Sequence, residues 1–244
     1  MPQGSIGKIK LWNDFFNGTS VTSTDENEPI GDFRFFGQGS AEIADSAALS
    51  IQGATSGAVR VTTTDEAVHT AAVGTNQALQ PSTMGTLVAE CRIQMNNLDT
   101  KTVFFGFSDD AADTALNPVD GDTVTMTLND SDLCGFVLDH SLTSDEEWFF
   151  VHNGGASAGV TTPLTTLTSG IDAVAGEWDV LRVEIDTNGT ARWYINEVLS
   201  KTLVGAVAPT VVFAAYAMVN AHGAAIEEMD LDYMLVRTAR DWSR

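Results

Sequence analysis

The feature that most constrains this chain is a period-two alternation of apolar and polar residues, cut into short runs by turn residues. It is clearest in "EWDVLRVEIDTNGTARWYIN", residues 177–196. Leu181, Val183 and Ile185 alternate with Arg182, Glu184 and Asp186; after the turn, Ala191, Trp193 and Ile195 alternate with Arg192, Tyr194 and Asn196. Alternation on both arms marks two half-buried strands. Directly opposed residues must share a face, so register can be tested. A two-residue Asn188-Gly189 turn sets Ile185 against Arg192 and mixes the faces. A three-residue loop, Thr187-Asn188-Gly189, pairs Ile185 with Ala191, Val183 with Trp193, Leu181 with Ile195 and Glu184 with Arg192. That loop needs a left-handed third residue, which Gly189 supplies, giving a bulge there.

The same period recurs along the chain. In "GTLVAECRIQM", Leu87, Ala89, Cys91, Ile93 and Met95 fall on one side, and Val88, Glu90, Arg92 and Gln94 on the other. "DFRFFGQGSAEI", "GAVRVTTT", "TVFFGFS", "DTVTMTL", "LCGFVLD", "EWFFVHN" and "PTVVFAAYAMV" read as further strands. In the last run, "EEMDLDYMLVR", simple alternation puts Met229, Leu231, Tyr233 and Leu235 on one face, and Glu228, Asp230 and Asp232 on the other. "GVTTPLTTLTSGIDAVAGEW" reads as a loop with a short strand. No long capped helix and no internal repeat is visible. Regularly spaced strands with polar turns predict an all-β antiparallel sandwich or jelly roll.

Residues 1–30 form a region of their own, and residues 31–244 the sandwich domain with a short basic C-terminal tail. In the first region Leu11, Trp12, Phe15 and Phe16 stand at roughly helical spacing, ahead of the loop-like "NGTSVTSTDENEP". Two readings stay open: a first strand or short helix packed on the core, or an arm that reaches a neighbouring subunit. The tail "RTARDWSR" holds Arg237, Arg240 and Arg244 beside Trp242. It reads either as a frayed tail or as a docking tail, with Trp242 as apolar anchor and the arginines pairing with a neighbour's carboxylates.

Composition excludes some functions. Thirty-three acidic against twelve basic residues give a net charge of −21, which argues against a nucleic-acid partner. No run approaches a membrane span, and "LWNDFFNGTS" after Lys8 and Lys10 is no secretory signal. The expectation is a protein made in a cytoplasm that leaves by lysis or assembly. Cys91 and Cys134, far apart in strand-like runs, read as buried free thiols, with a single bridge or a reactive thiol as the alternative.

Two likenesses sharpen the reading. "EWDVLRVEIDTNGTARWYINEVL" resembles the hairpin of concanavalin A-like (laminin G-like) jelly rolls, with Glu197 where Gly is usual. "MDLDYMLVRTAR" is similar to the closing strand of that superfamily, Asp232-Tyr233 standing as its Asp-Tyr. From about residue 65 to the C-terminus the chain also resembles virion proteins of tailed bacteriophages that carry this fold. "AVGTNQALQPSTMGTLVAECRIQMNNLDTKTVFFGFSDD" looks like their middle section, and "LCGFVLDHSLTSDEEWFFVHNGG" like their "GF-x-x-D…W" stretch. The resemblance implies a non-enzymatic structural protein of the virion that decorates or cements the capsid. Its partners would be the major capsid protein, other virion proteins or further copies of itself. The alternative is a glycan-binding or depolymerase-like protein of a phage tail or fibre, holding cell-surface glycan.

Candidate chemistry is sparse. Glycoside hydrolases on this fold need a carboxylate pair at defined separation. Members similar to laminarinases carry it as Glu-x-Asp-x-x-Glu. Glu184-Ile185-Asp186 and Glu228-Met229-Asp230 both begin that pattern, but Gly189 and Tyr233 stand where the second Glu belongs. Asp109, Asp110, Asp113, Asp120 and Asp122 crowd "SDDAADTALNPVDGD". Oxygen ligands suit Ca²⁺, which laminin G-like relatives often bind; a solvated acidic loop is the competing reading. The four histidines lack zinc spacing. No G-x-S-x-G or phosphate-binding loop is present. Trp148 is the candidate sugar platform, whereas Trp193 lies on the apolar face of its hairpin and belongs in the core.

Overall fold

A computed structural model describes residues 7–16, 21–22, 28–37, 48–52, 57–65, 69–111, 116–144, 146–162 and 167–240. In chain order the elements are Lys8–Asn13 (β1), Val21–Thr22 (β2), Glu28–Ile30 (β3), Phe33–Phe36 (β4), Ala48–Gln52 (β5), Ala58–Thr62 (β6), Thr70–Gly74 (β7) and the single helical turn Pro81–Met84 (α1). Then come Leu87–Gln94 (β8), Lys101–Ser108 (β9), Val119–Asp122 (β10), Thr125–Leu128 (β11), Leu133–Asp139 (β12) and Glu147–Asn153 (β13). Thr168–Asp172 (β14), Trp178–Ile185 (β15), Ala191–Ile195 (β16), Val198–Leu203 (β17), Ala214–Ala221 (β18) and Glu228–Ala239 (β19) complete the chain.

Two antiparallel sheets result. One runs β17-β16-β15-β8-β19-β6-β5-β2, with β1 also on β19; the other runs β14-β13-β12-β9-β18-β7-β4-β3. This is a concanavalin A-like jelly roll. The predicted hairpin register is the observed one: Leu181 faces Ile195, Val183 faces Trp193, Glu184 faces Arg192 and Ile185 faces Ala191. Gly189 has φ 79°, as the three-residue loop requires. The next turn, Asn196-Glu197, has φ 49° and 69°, so Glu197 takes the left-handed conformation that glycine adopts most readily.

Alternation fails in β19. Its register against β8 shifts between Leu231 and Tyr233, so Asp232 is an extra, bulged residue. Met229 and Leu231 face the core before the bulge, and Met234 and Val236 after it. Tyr233 and Leu235, expected inside, stand half-buried on the outer face instead.

β1 is a strand of this sandwich, antiparallel to β19 from Lys8 opposite Ala239 to Asn13 opposite Met234. Leu11 packs against the core, and Phe15, just past the strand, is fully buried. The helical spacing of Leu11, Trp12, Phe15 and Phe16 is thus incidental; the working period is two, with Lys8, Lys10 and Trp12 outward. At the other end, Arg237 belongs to β19 rather than to a frayed tail.

The inter-sheet core gathers Phe35, Val61, Phe105, Phe136, Trp148, Phe150, Trp193 and Val236. Cys91 and Cys134 are buried in it as free thiols. A second apolar cluster covers the outer face of the eight-stranded sheet. Phe104, Val137, Phe149, Val151, Tyr216 and Met218 project there and are capped by Ala111, Leu116, Val119, Met126 and Leu142. Residues of β9, β12, β13 and β18 are therefore buried on both faces, which is why those strands read as unbroken apolar runs. Close strand approach requires glycine at two positions in this sheet: a Cβ on Gly74 would lie 2.4 Å from Tyr216 Cβ, and one on Gly106 would lie 2.4 Å from Cys134 O.

Trp193 ties the sheets together. It is fully buried, lies 5.8 Å from Phe150 centroid to centroid and donates from Nε1 to Gly135 O at 2.8 Å. Trp193→Ala is expected to cost about 3–5 kcal/mol by urea denaturation. Trp193→Phe, which keeps most of the volume but loses the donor, should cost about 1–2 kcal/mol. A Trp193→Phe variant as stable as the unsubstituted protein would contradict the assigned hydrogen bond.

Candidate functional site

The two outer faces of the sandwich differ. On the eight-stranded sheet residues 109–111 and 116–132, with β10 and β11, lie over the strands and cover their apolar side chains. Asp109 N donates to Asp132 O at 2.9 Å, Met126 N to Thr161 O at 2.8 Å, and Thr143 N to Thr123 O at 2.7 Å. Gly121 N donates to Asp139 Oδ2 at 2.9 Å, and Asn153 Nδ2 to Asp130 O at 2.9 Å. Trp148 projects from that sheet into the inter-sheet core rather than onto its outer face. Trp148 is fully buried, packs edge-on against Phe136 and donates from Nε1 to Asp179 Oδ2 at 2.9 Å. It is a core residue and not a sugar platform.

The described carboxylates of the acidic loop are engaged in local hydrogen bonds. Asp109 Oδ1 accepts from Asp132 N at 3.1 Å, Asp120 Oδ2 from Asn129 Nδ2 at 2.9 Å, and Asp122 Oδ1 from Thr123 Oγ1 at 3.1 Å. Asp110 donates its N–H to Ser108 Oγ at 3.0 Å. Asp113 lies outside the described residues. Among the described residues no three His, Cys, Asp or Glu side chains are placed to hold a metal. The described carboxylates of this loop accept hydrogen bonds from neighbouring backbone and side-chain donors.

A Ser-His-Asp grouping that no sequence pattern announces joins the loop after β12 to the loop after β18. His222 Nδ1 is 2.9 Å from Ser141 Oγ, and its Nε2 is 3.6 Å from the buried Asp139 Oδ1, with Thr102 bonded to both His222 and Asp139. Acyl transfer would also need free N–H groups beside the serine. Here Ser141 N donates to Asp139 Oδ1, Leu142 N to Asp139 O and Thr143 N to Thr123 O. The grouping fastens the covering segment to the strand ends.

The nine-stranded sheet presents the open face. Lys8, Lys10, Arg60, Arg92, Arg182, Arg192 and Arg237, seven of the twelve basic residues, occupy outward positions on it. Glu90, Glu184, Asp186, Glu228, Asp230 and Asp232 accompany them, so this face is charge-balanced in a chain of net charge −21. Arg60 Nη1 pairs with Glu228 at 2.9 Å and Arg60 Nε with Asp230 at 2.8 Å. Arg92 pairs with Asp232 at 2.7 Å, Arg192 with Asp186 at 2.7 Å, and Arg182 with Glu184 at 3.4 Å and Glu90 at 3.6 Å. Glu184 faces Arg192 across the hairpin as predicted, although Arg192 bonds Asp186. The Arg192 hydrogen bond holds the Asp186 carboxyl below its ordinary range, and burial opposes it. Carboxylates locked to arginines in this way are poor general acids.

The cations near β1 are different. Lys8, Lys10 and Arg237 make no ion pair with a carboxylate among the described residues, and they border an open groove of ≈ 510 Å³ with Thr86, Glu184 and the apolar Ile9 and Val88. Beside the groove Trp12, 42% exposed, stacks on Tyr233 with centroids 5.0 Å apart and planes at 24°. Lys10 Nζ lies 5.5 Å from the Trp12 ring centroid. Arg92 and Arg182 similarly cover Trp178 and Tyr194.

Of the expected docking residues, Trp12 and Arg237 come together here through the β1–β19 pairing, and exposed Arg240 follows, its N–H donating to Gly7 O at 2.9 Å. Phe16 is 63% exposed past the end of β1, Leu11 and Phe15 turn inward, and Trp242 and Arg244 lie outside the described residues. Sequence reading missed Lys8, Lys10 and Tyr233. The alternation in "KIKLW" was a signal for the two lysines, while Tyr233 was hidden by the bulge.

One carboxyl is out of its normal range. Burial raises Asp130 from 3.8 to about 6; the Ser108 hydrogen bond opposes this, and Asp110 and Asp109 reinforce it. The folded protein therefore keeps a proton that the unfolded chain releases. This group's contribution is fully present below pH about 4 and is lost as pH rises through about 6. Asp130→Asn should stabilise the protein at pH 7.5 by on the order of 2 kcal/mol, with the gain vanishing at pH 4. Thermal melts at the two pH values check it, and a gain independent of pH would contradict it.

No known protein family's sequence profile matches the chain, and no curated protein is detectably similar in sequence. The fold is shared with solved structures. A protein of unknown function from Shewanella oneidensis MR-1 superposes with a TM-score of 0.59 at 10% identity, covering 98% of this chain and 90% of that one. Peanut lectin, solved with a nine-residue peptide, gives 0.55 at 9% identity over 96% and 98% of the two chains. The carbohydrate recognition domain of Emp47p gives 0.54 at 10% identity over 94% and 97%. At these identities the likeness is one of fold.

Proposed function

We propose that this chain is a non-enzymatic structural protein of a tailed-phage particle, decorating or cementing the capsid. It is made in the host cytoplasm and works in the virion, among copies of itself and against the major capsid protein or another virion protein. The observation that carries the reading is the occupancy of both faces. The molecule's own loop fills the outer face of the eight-stranded sheet. On the nine-stranded sheet, arginines hold Glu90, Glu184, Asp186, Glu228, Asp230 and Asp232. Such a surface is built to hold a partner rather than to turn over a substrate. The resemblance from residue 65 onward supports the phage setting.

A second reading, a glycan-binding module, is favoured by the exposed Trp12 on Tyr233 beside the basic groove. It also draws on the fold shared with peanut lectin and the Emp47p carbohydrate recognition domain. The two readings are compatible in one particle-borne protein.

Sedimentation with capsid shells stripped of the protein tests the first reading. Co-sedimentation at a fixed stoichiometry is expected, and a variant ending at Ala239 reports whether Arg240, Trp242 and Arg244 contribute. Protein that stays in the supernatant with intact stripped shells would contradict a decorating role.

A further inference from the structure

We infer that the β1–β19 end of the open face binds a carboxylate-bearing glycan, a chain containing uronic acid residues. This rests on the glycan-binding reading and specifies its ligand.

The first observation is an electrostatic cost that the fold leaves uncorrected. Lys10 and Arg237 are directly opposed across β1 and β19, and like charges so placed repel. Lys8 adds a third cation on the same face, one pleat repeat of roughly 7 Å along β1. Every arginine on the neighbouring strands of this face has a carboxylate partner. These three have none among the described residues, in a chain with 33 acidic side chains available. At physiological salt, charges more than about 8 Å away are largely screened. A bound anion therefore feels these cations more than the chain's net charge.

The second observation is the surface beside them. The Trp12 indole, backed by Tyr233, offers a flat exposed face. An aromatic plane accepts the apolar side of a sugar ring, while the adjacent cations accept its carboxylate through charge-assisted hydrogen bonds. Glu184, at the groove wall, can accept from a sugar hydroxyl. A neutral sugar would leave the cations without partners. An acidic protein surface would satisfy them, but protein interfaces bury several apolar anchors, and among the described residues Trp12 is the exposed large apolar side chain on the outward face of β1 and β19.

The test is calorimetric titration of the full-length protein with an octamer of galacturonic acid, its fully methyl-esterified form and polyglutamate. The octamer is expected to bind, with affinity falling as salt rises, and the ester at least tenfold more weakly. Trp12→Ala, Lys10→Gln and Arg237→Gln should each weaken octamer binding at least fivefold with unchanged melting temperature. Lys201→Gln, at the far edge of the sheet, should not. Equal binding of acid and ester would overturn the inference while leaving a glycan-binding module in place. Polyglutamate binding as tightly as the octamer and indifferent to Trp12→Ala would overturn it in favour of an acidic protein partner. Absence of binding to every sugar form would remove the glycan reading as well.

Discussion

The open face depends on one extra residue in the last strand. β19 is the longest strand and pairs with β8 on one side and with both β6 and β1 on the other. The bulge at Asp232 exchanges its two faces midway. Without it, Met234 and Val236 would point to water while Tyr233, Leu235 and Arg237 entered the core. With it, both halves bury apolar side chains, and Tyr233 and Arg237 emerge beside Trp12 and Lys10. Asp232, displaced by the bulge, is held by Arg92 at 2.7 Å. The packing requirement of the core and the geometry of the face are thus settled at a single backbone irregularity.

The eight-stranded sheet follows a different logic. Its central strands are apolar on both sides, and an exposed face of Phe104, Phe149, Tyr216 and Met218 would be a large hydrophobic patch. Residues 109–111 and 116–132 cover it and are fastened by backbone and carboxylate hydrogen bonds. Burying Asp130 in that fastening costs some stability at neutral pH, which is the physical meaning of its raised pKa. Asp109 ties one end of this stretch to the other through Asp132 N, and Asp139 of β12 holds Gly121.

The legible parts of the sequence were those with an unbroken period. The 181–195 hairpin could be set in register because only one loop length kept its faces unmixed. Trp193 could be placed inside and the two cysteines read as buried thiols for the same reason. The period misled where the backbone departed from it, at Asp232. It was also overlooked where four large apolar residues happened to fall at helical spacing, at Leu11, Trp12, Phe15 and Phe16. Trp148 could not be placed from its own strand, since the run from Trp148 to Val151 is apolar on both faces and carries no face information. That the basic termini lie side by side was not visible in sequence, because it follows from the pairing of β1 with β19 across more than 200 residues.

Charge completes the contrast between the faces. Most of the chain's surface repels anions and other copies of itself, and one face gathers most of its cations. The central claim is that this face, at Trp12, meets the partner while the eight-stranded sheet stays sealed. Oxidative labelling of tryptophans, read by mass spectrometry in the free and the partner-bound protein, tests it most directly. Trp12 should be labelled in the free protein and protected on binding, with Trp148 and Trp193 unlabelled in both. Labelling of Trp12 that is unchanged by binding, or ready labelling of Trp148 in the free protein, would contradict it.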